Sequence, residues 1–357
     1  MKTISSKNKC VVNKDFSIQD FFNITPEILT LIPTHKCTAS CNNCCFNCSP
    51  HIEYLMDINT AKKYVDEALV SFPTIKVLVI TGGECFLWKE NLINIIKYAV
   101  DKYHLIARVV TNGYWATSLE LAIARLQPLI DAGLSEINFS TGDEHQKFVK
   151  FNNIINGIKA CEKLGIKTII VSIETPPNGK FSSKNLLENN ELKLLYQEKK
   201  FEYIDAAWMY FKESENIAYP KEVFMLQHSR KPCENIFRGI NINPYSQLLA
   251  CCGLTVEYNS FLKIGNVEKK AIKELYASQF NDLYKLWLLV DGPKFIYEKI
   301  MNYRNLAPSF FPHDCAYCIE IIKNSENIES LRQILPKEMP NILYRYKVLH
   351  KGLHLPH

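Results

Sequence analysis

The sequence predicts an α/β fold built around a parallel β-sheet. Between residue 28 and about residue 210, six short runs rich in β-branched residues alternate with amphipathic segments of helical length. Such alternation is typical of right-handed βαβ units. The strand segments are apolar almost throughout, which indicates a sheet covered on both faces or curled into a partial barrel. In such folds the chemistry lies at the carboxyl ends of the strands.

The order of the predicted elements divides the chain into parts. The first strand segment, EILTLIPT, is followed by a helix that begins near residues 57–60. The later strand segments are IKVLVITGGE, LIARVVTNG, LSEINFST, IKTIIVSIE and FEYIDAAWMY. After about residue 215 the segment RKPCENIFRGININPYSQLLACCG predicts a β-hairpin, because Asn-Pro-Tyr-Ser is typical turn sequence. The predicted parts are an N-terminal extension (1–27), the α/β part (28–215), a small α+β part (216–325) and a C-terminal helix with a tail (326–357).

Length, composition and charge limit the classes of protein to which this chain can belong. The chain has 357 residues and no apolar run near the roughly 20 residues that a membrane span needs. The N-terminal sequence MKTISSKNKC is polar and shows no secretory signal. These features predict a cytoplasmic protein without a membrane partner. The net charge of +5 is modest and its lysines are spread over helical segments, so no nucleic-acid partner is expected.

The cysteines are the strongest chemical signal. The chain has 13 of them, and the cytosol keeps thiols reduced, so metal binding or catalysis is favoured over disulfides. Cys37, Cys41 and Cys44 are spaced as CxxxCxxC directly after the first strand. A structural zinc site usually has four ligands, whereas three thiolates on a four-iron cubane leave one iron open for a substrate. The alternative is a zinc-bound loop on an unrelated α/β fold.

With Gly82-Gly83-Glu84 at the end of the second strand, residues 28–210 resemble the radical S-adenosylmethionine (SAM) superfamily. The resemblance implies a partial (β/α)6 barrel, in which the CxxxCxxC cysteines hold a [4Fe–4S] cluster whose open iron chelates SAM. The family often shows Ser-x-Asp at the fourth strand, where this chain has Ser-Thr-Gly-Asp. The implied SAM contacts are Gly82, Gly83, Glu84, Asn112, Ser140, Asp143 and Ser172.

A second set of thiols follows in the small α+β part. Its spacing resembles the twitch domain, the short form of the SPASM domain, with Ser246 in place of a family glycine. The resemblance implies an auxiliary [4Fe–4S] cluster, and a zinc ion held by the same four thiolates is the alternative. The implied ligands are Cys233, Cys251, Cys315 and Cys318.

Cys252 directly follows one of these predicted ligands. Adjacent side chains of an extended strand point to opposite faces, so Cys251 and Cys252 cannot both face the same cluster without distortion. Cys252 is therefore predicted to be a free thiol beside a cluster. A buried, inert cysteine is the alternative.

Six motifs together resemble the radical SAM peptide epimerases of the epipeptide type. They are CTASCNNCCFNCSP, TGGECF, TNGYW, DEHQKFV, LLACCG and CAYC. The resemblance implies that a 5′-deoxyadenosyl radical abstracts the Hα of a residue in a ribosomal precursor peptide. It also implies that Cys252 returns a hydrogen atom from the opposite face, which converts an L- to a D-residue. The implied cofactors and partners are two [4Fe–4S] clusters, SAM, the precursor peptide and an electron donor such as flavodoxin or ferredoxin.

Two other functions stay open from the sequence. A maturase of the same superfamily would form a C–C, C–O or thioether crosslink in such a peptide, and its product would be two hydrogens lighter. A non-catalytic iron–sulfur or zinc module is the other alternative. The Gly-Gly-Glu and strand-end motifs count against that module, because an electron carrier has no use for a SAM site.

Overall fold

The computed structural model describes residues 24–176, 179–209 and 230–351. All six predicted strands are present, and their order across the sheet follows their order in the chain. Every neighbouring pair among them is parallel, which confirms the predicted βαβ architecture. The strands are β1 (Ile28–Leu31), β2 (Val77–Ile80), β3 (Ile106–Thr111), β4 (Leu134–Gly142), β5 (Thr168–Thr175) and β6 (Glu202–Ala207).

Amphipathic helices connect these strands. The first begins where the sequence predicts, because the Asp57 carboxylate accepts a hydrogen bond from the backbone N–H of Thr60 at 3.0 Å and caps the helix. The apolar faces of these helices pack on the sheet and form one core with it. The helices are α1 (Ile58–Ser71), α2 (Glu90–Tyr103), α3 (Leu119–Asp131), α4 (Phe151–Lys163), α5 (Ser183–Glu188) and α6 (Asn190–Gln197).

The two faces of the sheet have different surroundings. In β3, Ala107 and Val109 are fully buried under helices. The residues that alternate with them, Arg108 and Val110, are only half-buried. β2 and β5 show the same alternation. Alternate residues of a strand point to opposite faces, so one face of the sheet packs on the helices and the other is only partly covered by described residues; we call the space beside it the hollow. We call this second face the inner face.

The small α+β part continues the same sheet. β7 (Gly239–Ile242) pairs in parallel with β1 on the side opposite β2. β8 (Gln247–Leu249) and β9 (Lys263–Asn266) then add antiparallel strands, which makes nine in all among the described residues. The predicted hairpin is thus confirmed as β7–β8. Its last turn residue, Ser246, has φ +59°, in the left-handed region that favours glycine.

Four helices complete the described chain, and none of the helices in the described ranges is long and apolar enough to cross a membrane. They are α7 (Ile272–Ser278), α8 (Leu283–Tyr303), α9 (Asp314–Ile322) and α10 (Ser325–Lys351). The predicted boundary at residues 215 and 216, most of the N-terminal extension and the last residues of the tail lie outside the described residues. The predicted C-terminal helix is confirmed as α10.

A kink in α8 depends on glycine. Gly292 has φ +76° and ψ 168°, and Pro293 follows it inside the helix. A Cβ atom at Gly292 would lie 1.8 Å from the carbonyl oxygen of Lys231. Only glycine allows the chain to pass this close.

We predict that Gly292→Ala destabilises the protein more than Gly165→Ala. Gly165 has a similar φ of +74°, but a Cβ added there meets nothing within 4 Å. Gly165→Ala should therefore cost only about 1 kcal/mol of unfolding free energy, from the unfavourable backbone conformation. Gly292→Ala should cost about 2 kcal/mol more, because the backbone must also move. Denaturant unfolding of both variants measures the difference, and equal losses would contradict the close contact.

Candidate functional site

The cysteine loop leaves the end of β1 and is held by its own backbone. Cys37 donates its N–H to the Ser49 carbonyl at 3.1 Å, and Ser49 donates to the His35 carbonyl at 3.2 Å. These bonds close the loop, in which Cys37 and Cys41 are buried and Cys44 is half-buried. The three predicted ligands therefore lie on one compact loop at the carboxyl edge of the sheet.

Cys44 is the most acidic of the three thiols. A hydrogen bond from the Cys48 thiol lowers the pKa of Cys44 to about 6, against the opposing effect of burial. The Cys48 backbone N–H also donates to the Cys44 sulfur at 3.3 Å. The thiolate is the form of cysteine that binds metal, so this ligand is ready at neutral pH.

The other two thiols are protonated without a metal. Burial is the main cause that raises the pKa of Cys37 to about 12, and the charges of Glu84 and Cys44 contribute to this rise. Burial also raises the pKa of Cys41, followed by the charges of Cys44 and Cys37. These mutual effects show that the three sulfur atoms are neighbours. Such a set fits a [4Fe–4S] cluster, whose positive irons favour ionised thiols and release their protons.

Gly82 and Gly83 bring the end of β2 against the start of the cysteine loop. A Cβ at Gly83 would lie 1.9 Å from the Lys36 carbonyl oxygen, and one at Gly82 would lie 2.6 Å from that of Thr34. Gly83 N–H donates to the Thr34 carbonyl at 2.9 Å. Both glycines are needed for this close approach, whatever group binds beside them.

Glu84 points away from the hollow and joins two strand ends. Its fully buried carboxylate accepts hydrogen bonds from Thr111 Oγ1 and Asn112 N at 2.8 Å and from Phe86 N at 3.1 Å. Burial raises the pKa of Glu84 to about 7, although these three donors oppose the shift. The Asn112 amide in turn lies 3.5 Å from the Cys37 sulfur. The Glu84 side chain thus positions Asn112 beside a predicted cluster ligand.

The ends of β4 and β5 place the remaining predicted SAM contacts. Ser140 and Ser172 are opposite each other in register, and Ser172 donates to Asn138 Oδ1 at 3.1 Å. Asp143 accepts hydrogen bonds from the backbone N–H groups of Lys180 and Phe181, at 2.8 and 3.2 Å. Its carboxylate is therefore occupied in holding a loop. No described residue makes a hydrogen bond to the Ser140 hydroxyl.

A buried polar cluster lies beside the cysteine loop, and its member Asn43 was missed by the sequence reasoning. The Asn43 amide donates to the Glu174 carboxylate, and Glu144 accepts the Asn42 N–H at 3.2 Å. Asn43 Oδ1 and His145 Nδ1 are buried without a hydrogen-bond partner. The only sequence signal was the position of Asn43 between two predicted cluster ligands. This cluster adds polar groups at the edge where the strand-end motifs meet.

The second set of thiols lines one cavity of about 110 Å³. Cys251 follows β8, Cys315 and Cys318 lie on α9, and Cys233 precedes β7. The Cys315 and Cys251 sulfurs lie 3.2 and 3.4 Å from the position that a Cβ would take at Gly253, so they are close neighbours. All four predicted auxiliary ligands are therefore brought together.

The size of this cavity bears on its occupant. Its volume of about 110 Å³ is several times the roughly 30 Å³ that one water takes in the liquid. In a zinc site the four thiolate sulfurs lie about 2.3 Å from the ion, so they enclose no empty space of this size. Within the described ranges, no three thiol, imidazole or carboxylate groups are arranged around a single metal-ion position. The cavity has room for a group larger than a single ion.

Cys252 faces away from this cavity. Cys251 is 6% exposed, whereas Cys252 is an exposed residue, as expected for neighbours that point to opposite sides. Burial nevertheless raises the pKa of Cys252 to about 11, against the effects of the Thr30 hydroxyl and the Arg108 charge. The groups that act on the Cys252 thiol therefore include Thr30 and Arg108, which lie on the inner face of the sheet. Cys252 is protonated at neutral pH.

Contacts after Cys252 join the two thiol sets. The Tyr258 hydroxyl donates to the Cys44 carbonyl at 2.8 Å. Glu257 accepts from Asn243 Nδ2 at 2.9 Å, and it lies 3.1 Å from Lys263 Nζ and 3.6 Å from His35 Nε2. These contacts connect the segment after Cys252 to the cysteine loop and the hairpin.

Comparison with known proteins gives the class of this domain. Residues 31–180 match the Radical SAM superfamily, and they contain the CxxxCxxC cysteines and the Gly-Gly-Glu motif. This part of the chain is a radical SAM domain, as the sequence predicts. The domain has the parallel α/β architecture that was expected. Members of this superfamily bind a [4Fe–4S] cluster and SAM.

A particular relative is YydG of Bacillus subtilis (strain 168), a protein assigned to peptide biosynthesis. The two sequences are 30% identical over 134 residues, which is 36% of this chain and 40% of YydG. The match thus spans less than half of that relative.

Two solved structures are similar at low sequence identity. AnSMEcpe with bound AdoMet is 12% identical, with 92% of this chain and 100% of that chain covered and a TM-score of 0.49. Streptococcus suis SuiB bound to its precursor peptide SuiA is 14% identical, with 71% and 65% covered and a TM-score of 0.43.

We predict that Glu257 stabilises the fold at neutral pH and not in acid. Although burial raises its pKa, the nearby His35 side chain, the hydrogen bond from Asn243 and the charge of Lys263 lower it from 4.5 to about 2. The contribution is fully present above pH 4.5 and is lost as the pH falls towards 2. A shift of this size corresponds to about 3 kcal/mol. Denaturant unfolding of the metal-free protein should show that Glu257→Gln flattens this acid dependence.

The control is Glu53→Gln, since Glu53 is exposed. That variant should keep the acid dependence of the unmodified protein. An equally steep loss of stability in Glu257→Gln and the unmodified chain would contradict the assignment to Glu257.

Proposed function

We propose that this chain is a radical SAM peptide epimerase that converts L- to D-residues in a ribosomally synthesised precursor peptide. The observation that carries the proposal is the position and protonation of Cys252. Cys252 is exposed next to the buried predicted cluster ligand Cys251, and Thr30 and Arg108 of the inner face act on its thiol. The radical SAM domain and the relative assigned to peptide biosynthesis support the same function.

The residues of the cysteine loop are assigned to the first cofactor. Cys37, Cys41 and Cys44 would hold the [4Fe–4S] cluster, and its open iron would bind SAM. Together these cofactors supply a 5′-deoxyadenosyl radical that removes the Hα of a peptide residue. The chain's own part is to hold SAM at the strand ends. The residues assigned to that role are Gly82, Gly83, Glu84, Asn112, Ser140, Asp143 and Ser172.

The hydrogen bonds of the strand-end residues refine the roles of Ser140, Asp143 and Glu84. The Ser140 hydroxyl is available for a SAM hydroxyl, whereas the Asp143 carboxylate already accepts two backbone N–H groups. We therefore assign direct contact to Ser140 and a supporting role to Asp143. Glu84 acts through Asn112, because its carboxylate is enclosed between β2 and β3.

The second thiol set is assigned to an auxiliary [4Fe–4S] cluster. The cavity of about 110 Å³ supports a cluster over a zinc ion. Burial raises the pKa of Cys233, Cys251 and Cys318, and that of Cys315 to about 12. These thiols become ligands only when a strongly charged metal centre displaces their protons.

Cys252 is assigned as the hydrogen-atom donor. A Cα centre that has lost its hydrogen is planar, so a hydrogen atom delivered from the opposite face inverts the residue. The Cys252 S–H bond breaks, a Cα–H bond forms, and the sulfur is left one electron short. One electron and one proton then restore the thiol, and the electron comes from a one-electron donor of the flavodoxin or ferredoxin class. A pKa of about 11 keeps the hydrogen on the sulfur at neutral pH.

We predict that Cys252→Ala loses epimerisation but still cleaves SAM. The substrate is a synthetic copy of the precursor peptide, to be identified by searching for a short reading frame near the gene, and the reaction runs in deuterated water with SAM and a reductant. The unmodified enzyme should add one dalton to each epimerised residue, since a thiol exchanges its hydrogen with solvent. The variant should form 5′-deoxyadenosine without D-residues. Cys161→Ala is the control, because Cys161 is buried in α4.

Two results of this experiment would change the assignment. Deuterium uptake by Cys252→Ala at the rate of the unmodified enzyme would remove the donor role from Cys252. A product two daltons lighter from the unmodified enzyme would identify a crosslinking maturase instead of an epimerase.

We predict two separately removable [4Fe–4S] clusters. Replacing Cys37, Cys41 and Cys44 together by Ala should leave close to four irons per chain and abolish SAM cleavage, because the second cavity is built from other residues. Replacing Cys315 and Cys318 should remove the other four irons. Iron analysis and Mössbauer spectroscopy after anaerobic reconstitution measure both. Zinc without iron in the first variant would overturn the auxiliary cluster.

A further inference from the structure

Arg108 and Glu136 form an ion pair on the inner face of the sheet, in register across the strands with Thr30, whose hydroxyl acts on Cys252. Thr30, Val79 and Arg108 are in register across β1, β2 and β3, and Glu136 on β4 is in register with Arg108. Side chains in register on parallel strands point to the same face. Arg108 Nε lies 3.0 Å from Glu136 Oε1. The pair therefore borders the hollow that Cys252 faces.

The pair is within reach of the Cys252 thiol. Neighbouring strands are about 4.8 Å apart, so the backbones of Thr30 and Arg108 are about 10 Å apart on the same face of the sheet. The Thr30 hydroxyl and the positive charge of Arg108 both act on the Cys252 thiol and lower its pKa against the effect of burial. A group bound at the ion pair is then adjacent to the hydrogen that Cys252 carries.

Both partners keep unused hydrogen-bonding capacity. The Arg108 Nε–H is buried without a hydrogen-bond partner, because it does not point at the nearby carboxylate oxygen. No described residue makes a further hydrogen bond to the guanidinium or to the Glu136 carboxylate. Their side chains are 31% and 19% exposed, so both present polar atoms to the hollow. A guanidinium has five N–H donors and a carboxylate about four acceptor sites.

A purely structural role explains this placement poorly. Partly buried ion pairs often contribute little net stability, because desolvation offsets their attraction. The opposite face of β3 shows what packing alone requires, since Ala107 and Val109 are small apolar residues there. Charged residues in a cleft beside a reactive group are typical of a binding site.

We propose that Arg108 and Glu136 form a clamp for the backbone of the substrate peptide. The Arg108 guanidinium donates to a peptide carbonyl oxygen, and the Glu136 carboxylate accepts a peptide N–H next to the residue whose Cα faces Cys252. The clamp matches the donor and acceptor of a peptide group and contacts no side chain of the substrate. It rests on the proposed function, and it names an extended peptide segment as the ligand of this subsite.

The test measures peptide binding without turnover. The anaerobically reconstituted enzyme, with SAM and no reductant, is titrated into a fluorescein-labelled copy of the precursor peptide used in the epimerisation assay. Arg108→Gln and Glu136→Gln should each raise the Kd at least about tenfold, as expected for lost hydrogen bonds to charged groups. Glu191→Gln is the matched control, because Glu191 pairs with Lys159 at 2.7 Å on the outer helices. Its Kd should stay within twofold.

A double variant separates binding from structure. Arg108→Glu combined with Glu136→Arg rebuilds the ion pair with its ends exchanged. The double variant should recover the thermal unfolding midpoint that is lowered in the single variants. It should not recover the affinity for the peptide, because the donor and the acceptor have exchanged places relative to the peptide group. Recovery of both would show that the pair is only structural.

The outcomes also distinguish the clamp from the epimerase proposal. A Kd within twofold in both single variants, with D-residues still formed by the unmodified enzyme, overturns the clamp alone. Weaker binding in both variants, with a product two daltons lighter from the unmodified enzyme, supports the clamp and overturns the epimerase. An unmodified enzyme that does not bind the peptide overturns both.

Discussion

The site depends on the pairing of β1 on both of its edges. β1 is four residues long and pairs in parallel with β2 on one side and with β7 on the other. Its end leads into the cysteine loop, β2 ends in the Gly-Gly-Glu motif, and β7 leads through the hairpin to Cys251. Because both edges of β1 are hydrogen-bonded, the two thiol sets and the strand-end motifs are held by one short strand. The hydroxyl of Thr30 in this strand acts on the pKa of Cys252.

The surroundings of two thiols prepare them for different chemistry. Hydrogen bonds from Cys48 lower the pKa of Cys44 to about 6, which favours the thiolate that a metal needs. Burial raises the pKa of Cys252 to about 11, which keeps its hydrogen on the sulfur. Burial also raises the pKa of predicted ligands such as Cys37 and Cys315, so it is its exposure that sets Cys252 apart from them.

Two buried carboxylates join the parts of the site, and their partners decide their charge. The Glu84 carboxylate accepts hydrogen bonds only from neutral donors. The effect of burial is therefore larger than theirs and raises its pKa to about 7. Glu257 also has Lys263 beside it, and its pKa falls to about 2 despite burial. The first connects β2 to Asn112 next to Cys37. The second connects the segment after Cys252 to His35 before the cysteine loop. Both orient the site without contacting the reacting atoms.

The sequence alone determined the local features of this protein. Apolar periodicity predicted the six parallel strands, the Asp57 cap predicted the start of α1, and cysteine spacing predicted two thiol sets, since each signal lies within a few residues. The tertiary structure decided that β7 continues the barrel's sheet, that Asn43 meets Glu174, and that Arg108 meets Glu136 beside Cys252. These contacts join residues 28 to more than 200 positions apart. They follow from strand register and loop closure, which are set by packing of the whole sheet and leave no local pattern in the sequence.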